Sequence, residues 1–275
     1  MNKTYKSIYS HATQSWVAVS ETTNARGKKA SGALVISGLL TLTSLVGFSG
    51  SANAAINATT AGAGGALNCV AGDTPTVSGV NPFALGCRAV ASADYATAIG
   101  MDSNATGVQS LAVGDLSSAT AQRATAIGVG ANAAGLYSTA LGATAGAAAD
   151  YSIAIGRSSQ ASSTDGIAIG RAASVGAGSA TDPSGIAIGA QSTSYAYGIA
   201  LGTQATADQL GSAAGKGGIA IGYSADTGDL SYSAIAIGNN ATAAGSGTTG
   251  SIAIGELANS TNTSTVAIGT SSNAV

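Results

Sequence analysis

Ile153-Ala154-Ile155-Gly156 and, fourteen residues later, Ile167-Ala168-Ile169-Gly170 decide how this chain folds. The same phrase, apolar-Ala-aliphatic-Gly, occurs thirteen times, from Phe83-Ala84-Leu85-Gly86 to Val266-Ala267-Ile268-Gly269. Its closing glycines stand at 86, 100, 114, 128, 142, 156, 170, 189, 202, 222, 238, 255 and 269, and seven of the twelve intervals are fourteen residues. A repeat this short is one coil of a solenoid, in which each unit contacts only its neighbours. Solenoids present long surfaces rather than catalytic clefts.

Within the phrase the pattern has period two, the signature of a strand. Residues one and three before the glycine are bulky and apolar, whereas the residue between them is always Ala. The reading that follows puts the Ile positions inside each coil. The alanine row, with its small outline, is then the face that approaches identical subunits: Ala98, Ala112, Ala126, Ala140, Ala154, Ala168 and Ala187. After the glycine, small residues such as Ser103 and Ala105 flank a polar one such as Asn104. That predicts a second short strand with its small residues inward and a tight bend at the glycine. Thirteen coils stacked at the usual strand spacing make a rod roughly 60 Å long.

Upstream of the repeats, Lys28-Lys29, an apolar stretch from Ala33 to Phe48 and Ala52-Asn53-Ala54 read as a secretory signal cleaved after Ala54. Removing it leaves five basic and eleven acidic residues, a net charge of −6. No basic cluster remains to engage a nucleic-acid backbone, and no mature segment is long and apolar enough for a membrane helix. His11 is the only histidine and lies in the leader, so the mature chain lacks the commonest general base and metal ligand. Carboxylates are scattered singly. The sequence therefore points away from an enzyme, and assigns no catalytic, cofactor or metal residues. Gly211-Ser212-Ala213-Ala214-Gly215-Lys216-Gly217 looks like a phosphate loop but is one residue short and ends in Gly where Ser or Thr is needed.

Two cysteines remain, Cys69 and Cys87. An isolated pair in an exported protein is expected as a disulfide, here fastening an irregular segment, residues 55–80, to the first coil; two free thiols are the alternative. Tyr95, Tyr137, Tyr151 and Tyr197 each stand five residues before a closing glycine, where other copies carry Asn81, Gln109, Arg123 or Asp165. They read as solvent-facing, either as candidate contacts for a protein or glycan ligand or as local stacking over the turn. Insertions around residues 176–184, 208–217, 227–231 and 245–250 lengthen four of the intervals and would all leave one side of the rod as loops. An ice-binding array would need a continuous Thr row, but Thr97, Thr125 and Thr139 give way to Ile further on. Hexapeptide-repeat acyltransferases, another coiled family, have a six-residue period and a catalytic His, and neither is here.

The fourteen-residue repeat ending in Ala-Ile-Gly resembles the head of YadA-like trimeric autotransporter adhesins. The leader adds to the likeness, since Met1-Asn2-Lys3-Thr4-Tyr5 and Trp16-Val17-Ala18-Val19-Ser20-Glu21 resemble the extended signal peptide of large autotransporters. The resemblance implies a left-handed parallel β-roll solenoid of about thirteen coils spanning residues 81–275, assembled as a homotrimer. It also implies a Gram-negative cell, with the head displayed beyond the outer membrane and making no membrane contact itself. The partners it implies are host matrix proteins such as collagen or fibronectin, or sibling cells. A passive spacer within a surface fibre is the competing function. Asn is mostly missing before the phrase, where the family often has Asn-Ser, which argues against collagen binding through that motif. No heptads or barrel strands follow Gly269, so the sequence reads as a fragment lacking stalk and anchor.

Overall fold

A computed structural model describes residues 5–10, 15–20, 54–55, 73–176, 184–195, 197–207, 217–228, 233–244 and 250–275. The chain divides into two units, Met1–Val46 and Gly47–Val275. In the first, Tyr5–Ser10 and Ser15–Ser20 pair as antiparallel strands.

The second unit is a parallel β-solenoid. Ala54–Ala55 and thirteen three-residue strands, from Phe83–Leu85 to Val266–Ile268, form one sheet of fourteen strands, each beside the next in chain order. Twelve turns of the solenoid therefore separate the thirteen copies of the repeated phrase. Two-residue strands alternate with these along the chain and form the opposite sheet. Ten of them run from Thr76–Val77 to Thr206–Ala207, and three more from Thr242–Ala243 to Asn273–Ala274. Asp226 bridges the two groups by pairing with both Thr206 and Thr242. Thr76–Val77 lies in the stretch expected to be irregular, yet it already pairs with Val90–Ala91. Coiling thus starts before residue 81. The expected insertion loops fall largely outside the described residues. The strands that flank them keep register, Ile167 opposite Ile186 and Ile219 opposite Ile235.

Inside and outside are reversed from the sequence reading. Ala98, Ala112, Ala126, Ala140, Ala154, Ala168 and Ala187 are fully buried within the single chain and have no surface left to offer another one. The flanking Ile positions face outward and are only partly covered. The reason is the size of the coil. One three-residue strand, one two-residue strand and two tight turns bring the sheets so close that nearly every inward position takes only Ala or Ser. The interior is accordingly alanine and serine almost throughout, and among the described residues the largest fully buried side chains are Val175 and Thr227. The second strand follows its expected sense, with Ser103 and Ala105 buried and Asn104 outward.

Most of the inward serines, though not Ser110, Ser163 or Ser251, give their hydroxyl to a backbone carbonyl. Ser103 Oγ donates to the Gly100 carbonyl at 2.9 Å, and Ser152 Oγ to the Ala149 carbonyl at 2.6 Å. Each bond spans three residues and ties the bend to the core. A buried hydroxyl without such a partner would carry its full desolvation cost, on the order of 1–3 kcal/mol.

The closing glycine is required twice over. Gly142 has φ 134°, a region closed to residues with a Cβ. A Cβ built there would also lie 2.6 Å from the carbonyl oxygen of Gly156 in the next coil. Gly142→Ala is therefore expected to destabilise the solenoid by at least ~2 kcal/mol, combining backbone strain with a steric clash. Thermal unfolding followed by circular dichroism checks this; an unchanged midpoint would contradict the close stacking of the turns.

Candidate interaction surfaces

Three surfaces follow from this geometry. The first is the outer face of the longer sheet. Two residues of each three-residue strand point outward, making two columns of thirteen side chains. Of these twenty-six positions only Thr97, Thr125 and Thr139 are not apolar. One column reads Ile127, Leu141, Ile155, Ile169 and Ile188 on successive strands. Side chains above and below cover each one partly, but Leu141 is still 42 % exposed and Ile188 40 %. A flat, continuous apolar ribbon of this kind is too large to be ordinary monomer surface, and patches of this size mark interaction sites.

The second surface is the leading edge of that sheet, formed by residues five and six before each closing glycine. Tyr95, Tyr137, Tyr151 and Tyr197 lie here and are exposed, as expected. They share a left-handed backbone, with φ of 57–59°. Gln109, Arg123 and Asp165 at equivalent positions adopt it too. This feature was not legible in the sequence, because Tyr and Arg are not residues that favour positive φ. The coil-to-coil hydrogen-bond ladder imposes it: Tyr151 N–H donates to the Leu136 carbonyl at 2.8 Å and Tyr137 N–H to that of Gln122 at 3.0 Å. The ladder also stacks the side chains. The Tyr137 and Tyr151 rings lie 5.3 Å apart and within 10° of parallel. Arg123 sits 5.3 Å over the Tyr137 ring and donates through Nε to Gln109 Oε1 at 2.7 Å. Tyr95 and Tyr197 stand apart from this stack. Asp150 fastens the same edge, accepting from the Leu136 N–H at 2.8 Å.

The third surface is the trailing edge, beginning with the residue after each glycine. Near its start Arg88 joins successive coils, reaching Asp102 through Nε at 2.6 Å and Asp73 at 3.0 Å. The hydrogen bond from Arg88 holds the Asp102 carboxyl below the usual carboxylate range, with their charge attraction adding to it. Stability from this link is present at neutral pH and is lost as pH falls through the lowered folded-state pKa. The groups are exposed, so its contribution is small. Cys87, beside Arg88, is disulfide-bonded; Cys69, the other cysteine of the chain, lies outside the described residues. Further along, Arg157 and Arg171 occupy the same place on successive coils, and both are exposed. Among the described residues no group of His, Cys, Asp or Glu is arranged to hold a metal ion.

The sequence reading thus found the tyrosines but misplaced the apolar face. The regular Ile spacing that marks that face was visible from the start.

Comparison with known families agrees with this architecture. The family profile for the extended signal peptide of the type V secretion system matches residues 1–50. The YadA head domain repeat matches residues 78–103, 105–131, 119–145, 147–173, 231–249 and 249–272. The head matches lie on the coils described above, and the two profiles together take in well over half of the chain. No curated protein matches it. A leader of this type directs export to the cell surface at the outer membrane. With head repeats stacked behind it in a parallel β-solenoid, the chain belongs to the YadA-like trimeric autotransporter adhesins.

Proposed function

We propose that this head is a homotrimer joined through the isoleucine ribbon, and that its exposed edges attach the cell to host matrix proteins such as collagen or fibronectin, or to the heads of sibling cells. The observation that carries the assembly is the ribbon itself: two columns of thirteen outward side chains, nearly all apolar and only partly covered by their own chain. Burial is worth about 25 cal/mol per Å² of apolar surface removed from water, so a face this long favours association strongly. Three such faces turned toward a common axis bury one another, bring the edges of neighbouring subunits side by side, and leave the polar second sheet and the outer parts of those edges facing outward.

The tyrosine positions support the attachment role. Tyr95 and Tyr197 are more than half exposed, stack on no ring among the described residues, and offer a large apolar face with a hydroxyl at its tip. The Cys87 disulfide takes Cys69 as its partner in this reading and fastens the start of the chain to the first coils. A passive spacer is the competing function, favoured by the unbroken coil-to-coil ladder. The role is non-catalytic in either case.

Two experiments test the reading. In light scattering after size exclusion, the exported chain should have three times its monomer mass. Ile155→Lys combined with Ile169→Lys should give a folded monomer with unchanged far-ultraviolet circular dichroism. Ala154→Ile, by contrast, overfills the coil interior and should cost about 1–3 kcal/mol of stability, lowering the unfolding midpoint itself. A wild-type monomer at micromolar concentration would remove the assembly reading.

Tyr95→Asn with Tyr197→Asn should leave the melting temperature within a few degrees of wild type, because Asn tolerates positive φ and neither ring is packed. The same variant should reduce binding to immobilised collagen or fibronectin, or autoagglutination, by about tenfold. Unchanged binding would take the tyrosines out of the ligand surface, and an intact trimer with no adhesion of either kind would favour the spacer.

A further inference from the structure

The isoleucine ribbon explains why chains associate but says nothing about which edges meet. That question can be answered from the charges, given the reading that the ribbons pack around an axis parallel to the solenoid. In a trimer closed about such an axis the interface is head to tail. The trailing edge of one subunit meets the leading edge of the next. Closure also forbids a net rise around the ring, so facing residues lie at the same height. A trailing-edge residue therefore faces the leading edge of its own coil or of the coil above.

Arg157 and Arg171 follow Gly156 and Gly170 on the trailing edge. They sit one strand apart, since Ala172 N–H donates to the Arg157 carbonyl at 2.9 Å. Like charges on adjacent strands disfavour the fold unless something offsets them. Among the described residues neither arginine has an ion-pair partner. Their neighbours on the same edge are Ala143, Thr144, Ser158, Ala172, Ala190 and Gln191. Two unneutralised guanidiniums are unexpected in a mature chain of net charge −6.

The leading edge of the same two coils carries Asp150 and Asp165, six residues before Gly156 and five before Gly170. Neither has an ion-pair partner among the described residues. Asp165 is exposed, and Asp150 uses one oxygen on the Leu136 N–H and has a second. Within one chain these carboxylates cannot reach the arginines. The strand Ile167–Ile169 lies between Asp165 and Arg171, and six residues of extended chain span on the order of 15–20 Å. Between rotationally related chains they face each other. Asp115 follows the same rule with opposite sign. It lies on the trailing edge after Gly114, and Arg123 is on the leading edge of the coil above.

We propose that Arg157 and Arg171 of one subunit form ion pairs with Asp150 and Asp165 of the next, and that these pairs select the parallel, in-register trimer. The apolar ribbon repeats from coil to coil, so by itself it would accept other chain directions and offsets. The charges do not repeat, and only the closed parallel ring brings both arginines to both carboxylates.

The test is a charge swap read by subunit exchange. Two mass-labelled populations of the exported chain are mixed, and native mass spectrometry follows the appearance of mixed trimers. Arg157→Glu with Arg171→Glu should speed exchange about tenfold, because losing paired charges acts mainly on dissociation. Asp150→Arg with Asp165→Arg should do the same. Arg is already accommodated at the backbone position of Asp165, as Arg123 shows with φ 57°, and Asp150 stands one residue earlier, outside the left-handed position. The fourfold variant that carries all four reversals should return to within about threefold of wild type. The two edges are too far apart within a chain to interact, so such a rescue has to cross between subunits.

Exchange unchanged by either reversal, or a fourfold variant no slower than the single-edge ones, overturns the pairing while leaving the trimer in place. A wild-type chain that is monomeric overturns both this proposal and the assembly on which it rests.

Discussion

Between the two sheets of each coil there is room at almost every buried position for alanine or serine and nothing larger. This one dimension governs most of the rest. It forces the constant alanine of the repeated phrase inward. The β-branched residues on either side of it then have to point outward, because alternate residues of a strand face opposite ways. The protein thus separates two tasks that a larger fold combines. A thin core of small side chains holds the coil together, and a broad apolar face is left to be buried by something else.

The backbone compensates for what the thin core cannot supply. Hydrogen bonds run from coil to coil through the strands and also through the bends. Leu116 N–H donates to the Met101 carbonyl at 2.9 Å and Gly128 N–H to that of Val113 at 2.8 Å. This continuity accounts for the many residues at positive φ. Leu116, Tyr137 and Arg123 would each disfavour that conformation alone, by roughly 1–2 kcal/mol. The ladder fixes the position of each bend regardless of its residue, so side chains along the edges vary freely. The closing glycine does not vary, since both its φ and the carbonyl of the next coil exclude a Cβ. Constancy at Gly142 and diversity at Tyr151, Asp165 and Tyr197 are consequences of the same stacking.

Much of this was readable from the residues. The fourteen-residue period gave the solenoid, the alternation gave the strands, and the small-polar-small pattern after each glycine gave the second strand with its correct sense. The error at Ala154 and its equivalents has a definite origin. Alternation identifies two faces but does not say which is inside, and the usual rule places the larger apolar residues in the core. That rule assumes an interior wide enough to take them. The circumference of a fourteen-residue coil was the missing information, and it becomes visible only when both strands and both bends are counted together. The positive φ at the tyrosines was hidden for a different reason. It is imposed by neighbouring coils rather than favoured by the residues themselves, so no local sequence signal records it. The stacking of Tyr137 on Tyr151 follows directly once adjacent coils are in register.

The division of labour also couples folding to assembly. A coil that buries only methyl groups and hydroxyls gains little from the hydrophobic effect relative to the backbone entropy it gives up. The large apolar side chains, which would normally supply the balance, lie on the outward face, where their own coils cover them only in part. Stability in such a molecule depends on partner concentration, because whatever binds the folded state alone stabilises it by mass action. The disulfide at Cys87 and the Arg88 contacts with Asp73 and Asp102 both reinforce the first coils. From there on each coil is supported by the one below, and the isoleucine ribbon grows by one rung with each turn. A surface fibre gains from this arrangement, since one repeated phrase specifies both the length of the solenoid and the length of its outward apolar face.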